Sequence, residues 1–374
     1  MNYELNNSSL LTSNSSMLIA MSGGVDSSVS AYLMTQKYKT CRGATMLLFL
    51  NEALGFSSKY PCCSRENIID AKKICDSLGI EHEVLNFMNE FEDRVIKKFV
   101  QVYENGGTPN PCIDCNKFLK FGALLKHANE SGLEKIATGH YAKIQKDSSG
   151  RFLLLKAEDL SRDQSYVLYM MTQEQLACTE FPLGNMKKTE VRELASELNF
   201  VNAKKHDSQD ICFIPDGDYG KFIESFTGKK YPAGNFIDSN GKILGSHKGI
   251  IHYTSGQRRG LGVAAKSRLY VSKIDNESNN ITLLYEDDEN LYSKKIRVKD
   301  SNIISFDKLP ENFHAKVKIR YRQKEIPSII NQISEKELLI EFETPQKIPA
   351  KGQAAVIYDG DCVVGGGTID SVIN

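Results

Sequence analysis

The chain has 374 residues, which is enough for two or three domains. Charged residues make up 25% and hydrophobic residues 41%, values typical of a folded globular protein, and no apolar run approaches the ~20 residues of a membrane helix. The formal net charge is zero, which argues against a protein coated in positive charge. Residues 291–325 nevertheless hold ten Lys and Arg against four Asp and Glu, a local +6 that is sufficient to bind phosphates.

The N-terminus and the cysteines bear on the compartment. Residues 1–16 lack the basic start and the apolar core of a signal peptide, so we expect a disordered lead-in and a cytoplasmic protein with no membrane partner. The nine cysteines are an odd number in a chain long enough to bury a core. In the cytoplasm such thiols are more often catalytic, metal-binding or core residues than structural disulfides.

Strands and helices alternate in the first part of the chain. Apolar, strand-like runs lie at 17–21, 44–50, 84–87 and 135–138, and helical periodicity fills 25–37, 65–78, 90–103 and 117–130. This alternation predicts a parallel sheet with right-handed crossovers. We expect the α/β domain to span residues 17–215, with a hairpin near 146–150 and a helix over 187–198.

The character of the sequence changes after about residue 215. Glycine-rich turns and short alternating strands replace the helices. This pattern predicts a small β-rich linking domain over residues 216–285 and a C-terminal β-barrel over residues 286–374.

The sequence SGGVDSS, residues 22–28, lies between the first predicted strand and the first predicted helix. Two glycines, several hydroxyls and a helix N-terminus are the components of a phosphate-binding turn. It is neither a Walker loop, which needs a Lys, nor the G-x-G-x-x-G dinucleotide turn. It resembles the S-G-G-x-D-S pyrophosphate loop of the ATP pyrophosphatases, which cleave ATP between the α and β phosphates. Because Asp26 would repel a phosphate unless Mg²⁺ lay between them, we expect ATP with Mg²⁺.

Three cysteines lie in patterned segments. Cys112 and Cys115 form C-x-x-C in a proline-flanked turn before a predicted helix, whose N-terminus favours a thiolate. The spacing also fits a redox pair or half of a zinc site, although the adjacent Cys62 and Cys63 are poorly spaced for the other half. Cys212 lies in an apolar, strand-like segment flanked by acids, where it would ordinarily be interpreted as a core residue.

Two polar motifs provide further candidates. His140 follows the fourth predicted strand, next to Gly139, where it could donate to a phosphate or a base, although an isolated His is more often structural. Arg162, Asp163 and Gln164 lie at a predicted helix start, which Asp163 could simply cap.

The motifs taken together resemble one family. In chain order they are the phosphate loop, TPNPC with CNKFLKF, ATGHYA, RDQSYVL, DSQDICFI, GQRRGLG and RYRQ, which span residues 17 to about 370. This ordered set is similar to that of the bacterial tRNA-specific 2-thiouridylases, a family of the ATP pyrophosphatase superfamily. The resemblance implies a parallel-sheet nucleotide α-hydrolase fold. It also implies ATP-dependent transfer of sulfur to C2 of the wobble uridine, position 34, in tRNAs of the Glu, Gln and Lys type.

The resemblance also implies residue roles. ATP would be bound by Ala20, Met21, Ser22, Gly23, Gly24, Val25, Asp26, Ser27, Met46 and Gly139. The target base would face Asn110, Pro111 and Cys112, and the tRNA would contact His140, Arg162, Asp163, Gln164, Arg320, Tyr321 and Gln353. Cys115 would be the nucleophile and Cys212 the persulfide carrier, with a transient disulfide between them. The sulfur-donor protein would be a cysteine desulfurase or a sulfur carrier.

Two positions depart from some family members, which carry Asp in place of Cys112 and Lys in place of Arg162. The Arg keeps the charge, whereas the Cys adds a third thiol. One alternative is therefore an iron–sulfur protein in which Cys112, Cys115 and Cys212 hold a cluster. A second is another pyrophosphate-loop enzyme, such as GMP, NAD or argininosuccinate synthetase, which would need neither a cysteine pair nor a basic barrel. A third is an RNA-binding module alone, which would not need the phosphate loop.

Overall fold

Five short strands form a parallel sheet in the computed structural model, which describes residues 13–49, 65–207 and 211–373. They are β1 (Ser13–Ala20), β2 (Tyr38–Leu47), β3 (Glu81–Asn86), β4 (Lys135–Ala137) and β7 (Thr179–Glu180). The spatial order is β3-β2-β1-β4-β7, and every neighbouring pair is parallel. Since the chain returns from β3 to the other side of β1, the carboxyl end of β1 lies at the switch point where such sheets bind ligands.

The helices agree with the predicted periodicity to within a few residues, but two of them contain π-helical stretches. The helices are α1 (Val25–Lys37), α2 (Arg65–Ser77), α3 (Met88–Phe91), α4 (Lys97–Glu104), α5 (Pro111–Asp114), α6 (Leu124–Glu130), α7 (Gln173–Ala177), α8 (Lys188–Glu197) and α9 (Tyr219–Thr227). The π-helical stretches, Glu92–Ile96 and Cys115–Ala123, join α3 to α4 and α5 to α6. No helix among the described residues is long and apolar enough to span a bilayer.

Three sequence-based expectations need correction. The strand β1 begins at Ser13, so residues 13–16 belong to the sheet rather than to a disordered lead-in, while residues 1–12 lie outside the described residues. The segment predicted as a helix start at 161–169 forms only a 3-10 turn at Ser165–Val167. The hairpin, β5 (Lys143–Lys146) with β6 (Phe152–Leu155), is present, but it extends the C-terminal sheet rather than the first one.

The second half of the chain forms two antiparallel units. A four-stranded sheet of order β10-β11-β8-β9 contains β8 (Gly234–Ile237), β9 (Ile243–His247), β10 (Leu269–Asp275) and β11 (Asn280–Tyr285), with one parallel pair between β8 and β11. A barrel follows, built from β12 (Tyr292–Ile303), β13 (Phe313–Lys318), β14 (Ile326–Ser334), β15 (Glu337–Lys347), β16 (Ala354–Asp359) and β17 (Cys362–Ile373). Pairing of β12 with β17 closes it, which confirms the predicted fold class.

The three units share apolar cores. One cluster joins the first unit to the barrel, with Tyr166 and Tyr169 packed beside Val356 and Tyr358. The strand β6 also pairs with β17, which fixes the hairpin to the barrel wall. A second cluster joins the helices from α3 to the π-helical stretch at Cys115–Ala123 with the four-stranded sheet. Because these contacts are buried and apolar, they hold the units around the carboxyl edge of the parallel sheet.

Candidate active site

The phosphate loop joins β1 to α1 at the switch point of the sheet. Gly23 has a φ of +73°, which an L side chain rarely adopts, and a Cβ there would lie 2.8 Å from Asn67 Cα. Gly24 is the N-cap residue of α1 and has no side chain to cap it, so the N–H groups of the helix N-terminus can bind an anion. The Ser27 hydroxyl donates to the Gly24 carbonyl at 2.9 Å and accepts from the Ser22 N–H at 3.2 Å. These bonds fix the shape of the turn.

Residues of the segment that follows α8 donate hydrogen bonds to the phosphate loop. The buried Asn202 amide donates to the Gly23 carbonyl at 3.0 Å and to the Ser28 hydroxyl at 2.9 Å. The Lys205 ammonium donates to the same Gly23 carbonyl at 3.2 Å and to the Asp70 carboxylate at 2.9 Å. With its carbonyl bonded twice, Gly23 is held in the left-handed conformation that the turn requires.

A lysine balances Asp26, the carboxylate of the loop. Lys188, the first residue of α8, donates to the two Asp26 oxygens at 2.7 and 2.8 Å. The Tyr141 hydroxyl donates to Asp26 Oδ1 at 2.8 Å. Burial and the neighbouring carboxylate raise the pKa of Tyr141, so the phenol stays a hydrogen-bond donor at neutral pH. Lys188 also contacts the Asp207 carboxylate at 2.9 Å, which ties the loop to a second acid.

This arrangement changes the argument for Mg²⁺. Mg²⁺ was expected because the sequence shows no partner for the Asp26 carboxylate. In the structure, Lys188 and Tyr141 donate hydrogen bonds to its two oxygens. The part of the chain that the structure describes contains no group of three or more His, Cys, Asp or Glu side chains arranged for a metal ion. Mg²⁺ is usually held by one or two carboxylates together with substrate phosphates and water, so the expected magnesium ion stays a prediction.

Three further positions expected to bind ATP, of which Met46 and Gly139 are expected at the adenosine, lie at the same edge of the sheet. Ala20 ends β1, and Met46 lies near the end of the neighbouring β2. Gly139 follows β4 and packs against the first turn of α1, where a Cβ would lie 3.0 Å from the Asp26 carbonyl carbon and 3.1 Å from the Ser27 nitrogen. The absence of a side chain at Gly139 therefore allows the β4 loop to approach the phosphate turn.

The C-x-x-C segment begins a helical run that continues from Pro111 to Glu130. Asn110 is the N-cap residue and Pro111 is the first helical residue, where its missing N–H has no intrahelical acceptor to lose. Cys112 is exposed in the first turn, and Cys115, only 9% exposed, begins the π-helical stretch. Single π-helical turns are frequent at functional sites because they re-aim side chains within a helix.

The turn before this helix lies between the other two units. A Cβ on Gly106 would lie 2.8 Å from the Ile274 carbonyl oxygen of β10. On the barrel side, the Thr108 N–H donates to the Lys351 carbonyl at 2.8 Å. The Gln353 amide donates to the Thr108 carbonyl at 3.1 Å and to the Pro109 carbonyl at 3.2 Å. Gln353, expected to contact tRNA, is therefore bonded to the backbone that leads into Asn110, Pro111 and Cys112, the residues expected to face the target base.

Cys212 lies in a turn rather than in the strand that the sequence predicted. The Ile214 N–H donates to the Ile211 carbonyl at 2.8 Å. The adjacent Phe213 is buried, and its ring packs edge-on against Phe91 at 5.6 Å and Phe99 at 5.4 Å. These contacts place half-buried Cys212 against the apolar cluster that includes Cys115. The structure thus brings the predicted nucleophile, Cys115, and the predicted persulfide carrier, Cys212, to one cluster, although 97 positions separate them in the sequence.

His140 is enclosed by the protein. Its ring is only 6% exposed and lies near the rings of Phe121 and Phe181, both at 5.8 Å. The Thr138 hydroxyl lies 2.7 Å from Nδ1, and the Lys120 ammonium lies 3.3 Å from Nε2. Burial, helped by the Lys120 charge, holds the pKa of His140 well below its usual value, so the ring is neutral. Its expected contact with tRNA stays a prediction.

The other expected tRNA contacts in the first unit are engaged within the protein. Arg162, 40% exposed, contacts Asp207 at 3.0 Å. The Asp163 carboxylate accepts from two backbone N–H groups and a serine hydroxyl of its own loop. The Gln164 side-chain oxygen accepts from the Tyr141 N–H at 3.0 Å. These bonds order the loop beside the phosphate site, and Arg162 is the partly exposed cation of the three.

Arg320 and Tyr321 lie where the barrel meets the other units. The Arg320 guanidinium donates to the Ile348 carbonyl at 3.1 Å, and a Cβ on Gly256 would lie 2.7 Å from its Nη2. The Tyr321 hydroxyl donates to the Asp163 carbonyl at 2.9 Å, while 38% of the residue stays exposed. The two residues therefore link the barrel to the other units, and Tyr321 also contributes to the exposed surface beside the site.

Three family models match consecutive parts of the chain. They are described as a tRNA methyl transferase HUP domain over residues 15–216, a tRNA methyl transferase PRC-barrel domain over 220–284 and an aminomethyltransferase beta-barrel domain over 293–369. Among solved structures, an NMN synthetase from Francisella tularensis is similar with a TM-score of 0.33 and 18% identity, covering 58% of this chain and 78% of that chain. That likeness is too weak to support an argument.

Curated relatives match nearly the full length. The tRNA-specific 2-thiouridylase MnmA of Clostridium acetobutylicum is 44% identical over 95% of this chain and 99% of its own. The protein of the same name from Clostridioides difficile is 44% identical, covering 96% and 98%, and that of Acetivibrio thermocellus is 46% identical, covering 94% and 98%. The chain belongs to the MnmA family. The resemblance found in the sequence and the enzyme class it implied, a tRNA sulfurtransferase, are thereby confirmed.

Sequence reasoning missed four polar residues of this MnmA-family site: Tyr141, Lys188, Asn202 and Lys205. Each is more than 100 positions from the loop residue it bonds. Tyr141 lies within the ATGHYA motif, where only Gly139 and His140 were considered, and the other three lie outside the motifs. One signal was available for Lys188. It lies three and seven residues before Val191 and Ala195, on the buried face of the same helix, where a lysine needs a partner of opposite charge.

Proposed function

We propose that the chain is a cytoplasmic, ATP-dependent tRNA-uridine 2-sulfurtransferase that converts the wobble uridine of tRNAs of the Glu, Gln and Lys type into 2-thiouridine. The observation that carries the proposal is the location of Cys115 and Cys212 against one apolar cluster at the edge that holds the phosphate loop. Leu48, which follows β2, and Phe91, which follows β3, belong to the same cluster and so link it to that edge. The names of the curated relatives support the same reaction.

The first proposed step activates the base. Oxide cannot leave from C2 of uracil, so O2 attacks the α-phosphorus of ATP, pyrophosphate departs, and C2 then carries AMP as its leaving group. The N–H groups at the start of α1 and the turn at Gly23 and Gly24 would bind the phosphates where negative charge develops. The family resemblance supports ATP, and the cradle that a Cβ at Gly23 would fill is consistent with it.

The second proposed step delivers sulfur. A cysteine desulfurase or a sulfur-carrier protein loads Cys212 with a persulfide. In one route its terminal sulfur attacks C2, and the Cys115 thiolate then attacks Cys212 Sγ, which breaks the S–S bond and frees the thiolated base. In the other route Cys115 first attacks Cys212 Sγ and releases hydrosulfide, which then attacks C2. AMP leaves in both routes, and a Cys115–Cys212 disulfide forms that a cellular reductant must cleave. The two sulfurs must come within ~2 Å for this bond. Their contact with the same apolar cluster supports such an approach.

The target base must leave its stack so that its C2 atom can reach the catalytic groups inside the protein. Asn110, Pro111 and Cys112 form the first turn of the helical run and would face the extruded base, since Cys112 is exposed while Cys115 lies deeper. We propose that Arg162, Arg320 and Tyr321 bind the flanking RNA by charge and stacking. For His140, Asp163, Gln164 and Gln353, the observed bonds favour a role in ordering the surface that RNA meets.

Three serine variants test the sulfur chemistry. With a cysteine desulfurase and ³⁵S-labelled cysteine, Cys212→Ser should fail to accept sulfur, whereas Cys115→Ser should accept it and retain it without thiolating tRNA. Both should still bind ATP and tRNA, because neither residue is part of the phosphate loop. Equal sulfur acceptance by Cys212→Ser and the wild type would refute the assigned roles.

Cys112→Ser separates the persulfide mechanism from the iron–sulfur alternative. If Cys112 only lines the base pocket, thiolation should fall modestly. If it is a cluster ligand, the loss should match that of the other two variants, and iron should be present in anaerobically purified wild type. A folded but inactive Cys112→Ser protein together with iron in the wild type would overturn the persulfide mechanism.

A further inference from the structure

Lys188 is a buried cation between two acids. Its side chain is 8% exposed, and its ammonium lies 2.7 Å from Asp26 Oδ1, 2.8 Å from Asp26 Oδ2 and 2.9 Å from Asp207 Oδ1. A lysine is rarely buried unless it is paired, because removing its charge from water is unfavourable. Two carboxylates compensate Lys188, and in turn Lys188 is the only described side chain that contacts both of them within ion-pair distance.

The two acids differ in their other partners. Asp207 is also bound by Arg192 at 2.7 Å and by Arg162 at 3.0 Å, so it keeps two cations if Lys188 is lost. Lys188 and its neighbouring arginines together hold the pKa of Asp207 below its usual value despite burial. Asp26 has Lys188 as its cation and otherwise a neutral phenol, Tyr141. Removing the lysine charge would therefore leave Asp26 as a negative charge inside the phosphate loop.

The two acids also belong to different functional segments. Asp26 lies within the first turn of α1, in the loop proposed to bind the ATP phosphates. Asp207 begins the DSQDICFIP segment, five residues before Cys212. One ammonium group thus joins the ATP loop to the start of the sulfur-carrying segment, across a separation of 181 positions in the sequence.

We propose that Lys188 is a positioning residue for both half-reactions: it neutralises Asp26 so that the loop accepts the ATP phosphates, and it anchors Asp207 so that Cys212 is presented at the activated base. This inference rests on the proposed function for its second half only, since the first half concerns nucleotide binding. The loop lacks the lysine of a Walker turn, and Lys188 supplies a cation from a distant helix instead.

Binding of α,β-methylene-ATP, measured by calorimetry, tests the first half without any thiolation. Lys188→Met keeps the length and removes the charge, and it should weaken binding at least about tenfold, since truncating one partner of a buried charge pair leaves the other unpaired. Lys188→Arg should restore most of the affinity. Lys187→Met, a neighbouring exposed lysine, is the matched control and should bind like the wild type. Wild-type affinity in a folded Lys188→Met protein would overturn the inference.

Asp207→Asn tests the second half. It keeps the contact between Lys188 and Asp26, so analogue affinity should stay within about twofold of the wild type, while single-turnover transfer of ³⁵S from Cys212 to tRNA at saturating ATP should fall about tenfold or more. Wild-type transfer in Asp207→Asn, or a loss of analogue affinity equal to that of Lys188→Met, would overturn the shared role. If Lys188→Met does not fold, Lys188→Gln, which also removes the charge but keeps a hydrogen-bond donor, replaces it under the same criteria. Absence of thiolation in the wild type would instead refute the proposed function, and the binding results would still test Lys188.

Discussion

Substitution of Gly23 by Ala tests whether the phosphate turn must keep its observed shape. The new Cβ would lie 2.8 Å from Asn67 Cα, against 3.4 Å for an ordinary contact, and closer still to the Asn67 carbonyl oxygen. The loop or α2 must therefore shift by more than half an ångström. A misplacement of about 1 Å at a reacting centre can cost about 100-fold in rate, or about 2.7 kcal/mol of transition-state stabilisation.

Gly79 provides the matched control for backbone strain. It has a φ of +68°, close to the +73° of Gly23, but a Cβ there would meet nothing within 4 Å. Both Ala variants carry the cost of a left-handed alanine, about 1 kcal/mol, and should melt a few degrees lower. Only Gly23→Ala should lose affinity for α,β-methylene-ATP and tRNA-dependent ATP–pyrophosphate exchange, by about 100-fold. Equal losses in both variants, or normal exchange in Gly23→Ala, would refute the assignment of the turn.

Three further predictions concern residues expected to contact tRNA. Gln353→Ala removes two bonds to the 108–109 backbone, so the single-turnover thiolation rate should fall about tenfold while tRNA affinity changes less; the reverse pattern would indicate a direct RNA contact. Because the pKa of His140 is depressed in the folded protein, only the unfolded state binds a proton at this histidine below about pH 6.5, so the free energy of unfolding falls as pH falls. In urea unfolding, His140→Gln should lose stability less steeply with falling pH, by up to about 1.4 kcal/mol per pH unit, and the same steepness as the wild type would contradict a buried neutral ring. The exposed Arg322 lies beside Tyr321 in the basic segment 291–325, so Arg322→Ala should reduce the slope of log affinity against log salt by about one phosphate contact. Arg320→Ala should do the same and also lower the melting temperature, because its guanidinium bonds the Ile348 carbonyl; no effect of either on tRNA binding would leave the basic segment as a solvated face.

The parts of the fold that were predictable are those written in local patterns. The first helix was predicted at 25–37 and is Val25–Lys37, because apolar spacing and a glycine turn before it are local signals. The π-helical stretch at Cys115 was not predictable, since the apolar stripe of 117–130 continues through it. The apolar residues Ile211, Phe213 and Ile214 suggested a strand at Cys212. In the structure they form a turn, and their side chains pack on α3 and α4.

In the candidate site, too, the residues that are adjacent in sequence could be predicted, whereas the partners that are distant in sequence could not. The glycines and hydroxyls of the phosphate loop adjoin one another in sequence, so their chemistry could be recognised directly. The charge balance of Asp26 could not, because Lys188 is 162 positions away and reaches it only through the sheet topology. Because Lys188 is not part of the loop sequence, the sequence alone pointed to Mg²⁺ as the charge that compensates Asp26. The barrel contact of Gln353 with the 108–109 backbone is likewise a consequence of how the units pack.

The central claim is that this chain places sulfur on C2 of the wobble uridine in an ATP-dependent reaction. The most direct test incubates the purified protein with unmodified tRNA of the Glu type, ATP, Mg²⁺, a cysteine desulfurase and cysteine, and then analyses position 34 by mass spectrometry after nuclease digestion. The account predicts 2-thiouridine at position 34, with AMP and pyrophosphate released in equal amounts, and none when ATP is omitted or Cys115 is replaced by Ser. Unmodified uridine in the complete reaction, or thiolation that proceeds without ATP, would contradict it.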